Sequence, residues 1–103
     1  MTQSTSDAAC VPMDGGVHSG HIPFVDGQTD VGTFNMPVTS TEPMFLYCAT
    51  GPHCQEGQVM VVNAVNAQQV AEYAKKSQAT MSSTDGTDVR GGTAGKISLD
   101  TAA

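Results

Sequence analysis

Through Val62 the apolar residues of this chain come in short runs broken by turn residues, whereas beyond Asn66 they recur at helical spacing. Phe34, Met36 and Val38 alternate with polar neighbours, which predicts a strand over 32–38 with one apolar face. Pro37 has no N–H to give to a ladder, so that strand is expected at an edge. Met44-Phe45-Leu46-Tyr47-Cys48 is nearly continuous in apolar character and fits a strand buried on both sides. Val59-Met60-Val61-Val62 predicts another strand. Residues 1–31 read as turns and loops, with Asp14-Gly15-Gly16 a strong turn signal and only a short strand expected, near Ile22 to Val25.

The change of period comes at Asn66. Its side chain can cap a helix, Gln69 stands at capping-box distance, and Val65 and Val70 have staple spacing. Ala67, Val70, Ala71 and Ala74 form an apolar stripe with Tyr73 beside it. Lys75 and Lys76 suit the negative end of the helix dipole. A helix over 66–77 is therefore expected. From there to the end the chain is Ser, Thr, Asp, Gly and Ala, too poor in apolar area to offset chain entropy. The expected organisation is one β domain over 1–65, the helix, and a disordered tail over 78–103.

Charge removes some function classes. The net charge is −6, only four residues are Lys or Arg, and they form no basic stripe to displace phosphate counterions, so nucleic-acid binding is not expected. No apolar run approaches the roughly 20 residues of a membrane span. The first residues have neither a basic start nor an apolar middle, so no secretory leader is read there.

Chemistry is concentrated in Phe45 to Gln58. A thiol, Cys48, ends the buried strand; an imidazole, His53, follows beyond the Gly51-Pro52 turn; Gly57 and Gln58 open the next strand. One short loop can aim sulfur, nitrogen and an amide oxygen at a single point, as a blue-copper centre requires. Other uses fit less well. A Cys–His nucleophile pair would lack an orienting group and an oxyanion loop, so an enzyme is not expected. A structural zinc site would want four ligands in paired spacings. His18 and His21 read as loop residues. The three cysteines, Cys10, Cys48 and Cys54, imply one bridge and one leftover thiol, and the count leaves a Cys48–Cys54 pairing open.

The pattern C-x4-H-C-x2-G-[MQ] at Cys48, His53, Cys54, Gly57 and Gln58 resembles the copper loop of phytocyanins and of related fungal extracellular cupredoxin-like proteins. Cys10-Val11-Pro12-Met13, Gly32-Thr33-Phe34, Thr39 to Pro43 and Val61-Val62-Asn63 are similar to further segments of the fungal group. The resemblance covers about residues 1–75. It implies an all-β chain, part of a Greek-key cupredoxin sandwich with one added helix. It also implies copper as cofactor, with Cys48 as thiolate ligand, His53 as imidazole ligand and Gln58 as weak axial donor in the stellacyanin manner. Cys54 falls at the disulfide position with Cys10 as its partner. An extracellular or cell-surface location, and a redox partner or cell-wall component, belong to the same implication.

The family's first His ligand lies on a strand just before a segment resembling Thr2-Gln3-Ser4-Thr5. The expectation is that Met1 falls where that strand ends and that the chain is truncated. Signal peptide, first strands and first His would then lie upstream, and copper binding would be impaired. The alternative reading is a redox-silent structural or interaction protein with the same fold.

Overall fold

The computed structural model describes residues 1–102. Three strands, β1 (Thr2–Ser4), β3 (Met44–Tyr47) and β4 (Val59–Val62), form one antiparallel sheet in the order β1-β3-β4. Two more, β2 (Asp30–Asn35) and β5 (Thr93–Ser98), form a second antiparallel sheet. Helix α1 (Ala67–Gln78) follows β4, and a short helix α2 (Leu99–Ala102) follows β5. The chain is thus mostly β, with two sheets and a helix towards its C-terminal side.

The register of the first sheet decides what each face carries. Leu46 pairs with Gln3 and Met60, while Tyr47 pairs with Thr2 and Val59, and Phe45 with Ser4 and Val61. Directly opposed residues share a face. Phe45, Tyr47, Val59 and Val61 therefore turn to one side, where Ala9, Cys10, Cys54 and Tyr73 complete the core. Tyr73 of α1 meets Phe45 edge to face with ring centroids 5.0 Å apart, and its hydroxyl is bonded to Ser4 Oγ.

Helix α1 forms where the sequence places it, but its buried stripe is displaced. Asn66 Oδ1 accepts from the Gln69 N–H at 2.9 Å, and Gln69 Oε1 accepts from the Val65 N–H at 2.8 Å. Tyr73 and Ser77 are buried, with Val70 and Ala74 half-buried, whereas Ala67 and Ala71 face solvent. A large aromatic one position off the alanine row turns the helix towards itself, because it buries more area.

Three expectations need correction. Thr2–Ser4, read as loop, is a strand, since its partner β3 supplies a ladder that the polar sequence does not announce. Ile22 to Val25 is not a strand. The segment from 78 onwards is not structureless among its described residues. Thr93–Ser98 pairs along its length with Asp30–Asn35, Thr84 N donates to Cys10 O at 2.9 Å, and Arg90 exchanges backbone bonds with His18 at 2.9 Å. Every residue of β5 is exposed, so backbone hydrogen bonds to β2, rather than apolar burial, define the strand. The last position of the expected tail, 103, lies outside the described residues.

Candidate metal centre

The loop between β3 and β4 is built by backbone bonds before any side chain contributes. Thr50 O accepts from His53 N at 3.0 Å to close the turn through Gly51, which stands at φ 46°. Gln58 N donates to His53 O at 3.0 Å, and Cys48 N donates to Gln58 O at 3.1 Å, so the ladder of β3 and β4 continues one residue past the strands. Gly57 turns the chain at φ 90°, in the left-handed region that suits glycine. A Cβ there would stand 3.1 Å from Gln78 Nε2 at the end of α1.

The loop is anchored by a disulfide between Cys10 and Cys54, both fully buried. Thr80 Oγ1 donates to Cys10 Sγ at 3.2 Å, and Gln55 Nε2 donates to Thr80 Oγ1 at 2.9 Å and Ser83 Oγ at 3.0 Å. The residues flanking His53 are therefore tied to the N-terminal loop and to the segment after α1.

Cys48 is the free cysteine, half-buried, and its Sγ stands 3.4 Å from His53 Nδ1. That spacing suits two donors on one ion. With metal–sulfur and metal–nitrogen lengths of about 2.3 and 2.05 Å, typical of first-row ions, it corresponds to an angle of about 100°. Gln58 lies opposite Cys48 in the ladder and is exposed, so its side chain starts on the same face as the thiol. Among the described residues, no three His, Cys, Asp or Glu side chains gather in an arrangement able to hold a metal; Cys48 and His53 stand as a pair.

His18 and His21 do not gather with them into a metal-holding group, although both line the same cleft as Cys48. His18 is buried, with Nδ1 2.9 Å from Thr2 Oγ1 and Nε2 3.7 Å from Asp85 Oδ1. It bridges β1 to the segment around Arg90. His21 is exposed.

One feature had no signal in the sequence. The face of the first sheet opposite the core looks into a cleft of about 380 Å³. Leu46, Cys48 and Met60 line it from that sheet, Ile22, Phe34 and Met36 line it from the side of β2, and His18, His21 and Asp85 add polar groups to the lining. The thiol therefore opens towards the gap between the two sheets.

The chain is 30% identical over 97 residues to an "Extracellular serine-rich protein" of Arthroderma benhamiae, covering 92% of this chain and 38% of that protein. It is 32% identical over 73 residues to a "Probable GPI-anchored cupredoxin-1" of the same fungus, covering 71% of this chain and 36% of that protein. The chain thus spans little more than a third of the length of these relatives. No protein-family model and no solved structure matches it. The second match makes the chain similar to a probable cupredoxin.

Proposed function

We propose that this chain binds copper through the Cys48 thiolate and the His53 imidazole, with the Gln58 amide oxygen as a weak further donor. The reading is supported above all by the 3.4 Å approach of Cys48 Sγ to His53 Nδ1 on a loop whose backbone is fixed independently of metal. Similarity to a probable cupredoxin supports it from outside the structure. Copper bound there would supply a one-electron couple. The chain's part is to present a soft sulfur and a borderline nitrogen from a braced loop, so that little reorganises between Cu(I) and Cu(II). An amide oxygen at Gln58 favours Cu(II) more than a thioether does and lowers the potential. No catalytic role is proposed. The names of these relatives support an extracellular or cell-surface location, where the Cys10–Cys54 bridge is stable. A redox partner or a cell-wall component would be met there.

The test is a Cu(II) titration of the oxidised protein. Intense visible absorption from thiolate-to-copper charge transfer is expected at about one equivalent, and Cys48→Ser should abolish it while the far-UV circular dichroism stays unchanged. Absence of the band, or its persistence in the serine variant, sinks the reading.

A second reading is favoured by one observation: Cys48 and His53 have no third His, Cys, Asp or Glu beside them among the described residues. On that reading the chain is a redox-silent structural or interaction module. The same titration separates the two.

A further inference from the structure

We propose that the inter-sheet cleft binds a small arylalkylamine, with its protonated amine held between His18 and Asp85 and its aromatic ring among the apolar side chains of the lining. The inference is independent of the copper reading and stands without it.

A gap in the hydrogen bonding carries the argument. His18, only 8% exposed, lines the cleft together with Asp85. Its Nδ1 is engaged by Thr2 Oγ1 at 2.9 Å, whereas its Nε2 stands 3.7 Å from Asp85 Oδ1, beyond hydrogen-bond length. A group that donates to both atoms closes that gap. With the two acceptors 3.7 Å apart, a nitrogen about 2.8 Å from each meets them at an angle of about 83°, which two N–H bonds of an ammonium span with modest bending. Imidazole Nε2 accepts only when the ring is neutral and carries its proton on Nδ1. In the complex, therefore, His18 Nδ1–H donates to Thr2 Oγ1.

Charge agrees with a cationic head. Asp85 supplies the carboxylate of the lining, and among the described residues no Lys or Arg lines the cleft. The amine of Met1, also in the lining, is turned to Ser19 Oγ at 2.6 Å. An ammonium on a carboxylate makes a charge-assisted hydrogen bond, about twice as strong as a neutral one. The rest of the lining selects the body of the ligand. Leu46 and Met60 stand on one side and Ile22, Phe34 and Met36 on the other. Thioether sulfurs and a phenyl ring are favourable neighbours for an aromatic ring. A volume of about 380 Å³, with apolar walls and a few convergent polar groups, is that of a small-ligand site.

The probe is phenethylamine, with 2-phenylethanol as its neutral counterpart, added to the metal-free full chain with its disulfide intact at pH 8. Binding is followed by the methionine methyl resonances and by the rate at which iodoacetamide alkylates Cys48, which lines the same cleft. The Met36 and Met60 methyls should shift, that of Met81, 95% exposed and outside the cleft, should not, and alkylation should slow severalfold. Asp85→Asn should weaken amine binding about tenfold and leave the alcohol unaffected. Asp7→Asn, at an exposed carboxylate paired with Lys76 away from the cleft, should change neither. Should Asp85→Asn fail to fold, the comparison of amine with alcohol on the wild type decides. The inference is overturned if phenethylamine does not saturate at millimolar concentration, if the alcohol binds as tightly as the amine, if folded Asp85→Asn keeps wild-type affinity, or if binding leaves Met36 and Met60 still. None of these outcomes touches the copper reading, which the Cu(II) titration decides by itself.

Discussion

Removing the Cys10–Cys54 bridge should cost a large share of the stability of this chain. The cysteines are 44 positions apart. Closing a loop of that length in the unfolded chain removes about 13 cal/mol/K of entropy, or about 4 kcal/mol at room temperature. Domains of this size have only about 5–15 kcal/mol in total. The buried core offers few alternatives, because the two sulfurs themselves stand beside Tyr47 and Tyr73 at its centre. The double variant Cys10→Ala/Cys54→Ala avoids leaving a buried hydroxyl, and it also prevents Cys54 from pairing with Cys48. Urea unfolding followed by circular dichroism should show the midpoint falling by an amount equivalent to about 3–5 kcal/mol. Reduction of the wild-type bridge should give a similar loss without any change of sequence. A loss below about 1 kcal/mol in both experiments would refute the reasoning, because it would mean that the unfolded chain is already constrained, or that the loop contributes little to the folded core.

Two further outcomes follow from particular contacts. Burial, and then the nearby Asp85 carboxylate and Tyr73, push the Tyr47 phenol far above its ordinary value of 10.0, and burial raises Tyr73 too, against a hydrogen bond from Ser4. The unfolded chain therefore loses these protons first, so stability should be level below pH 10 and fall as the pH rises beyond it. The check is the urea midpoint against pH; Tyr47→Phe should flatten the alkaline fall, and an unchanged profile would count against the assignment. Gly92→Ala should loosen the β2–β5 sheet, because a Cβ there would stand 2.5 Å from Asn35 O and 2.6 Å from Phe34 Cζ. A cost of about 1–3 kcal/mol is expected, with faster amide exchange over Thr93–Ser98 and no change at Met44–Tyr47; unaltered exchange in β5 would argue against the packing described.

What could be read in the sequence was local. Val59–Val62 and the cap at Asn66 are legible because their signals lie within a few neighbouring residues: four apolar side chains in a row, and an Asn three positions before a Gln. The pairing of chemistry at Cys48 and His53 is legible for the same reason, since one loop carries both. β1 and β5 are not. Thr2-Gln3-Ser4 and Thr93-Ala94-Gly95-Lys96 have no periodic apolar face, and each becomes a strand only because a distant segment presents free backbone groups to it. Composition argued against order in the C-terminal segment by counting buried area, and it could not count ladder bonds. It also could not see Tyr47, whose hydroxyl donates to Thr84 O and fastens that segment to the core.

The same division explains the centre. Alternation along β3 sends Phe45 and Tyr47 to one face and Leu46 and Cys48 to the other. The first face is covered by α1, which follows β4 closely in sequence, so its core could be anticipated from the apolar stripe around Tyr73. The second face looks onto β2, which precedes β3 in sequence, and onto the loop around His18 to Ile22, and it is incompletely filled. A cysteine on the first face would be sealed in the core beside the disulfide. On the second it faces a cleft of mixed apolar and polar lining, next to an imidazole from its own loop and diagonal to a methionine from the neighbouring strand. A one-residue slip of β3 against its neighbours would exchange the two faces, burying the thiol and exposing Tyr47. The chemistry available to Cys48 is therefore a property of register as much as of the loop motif.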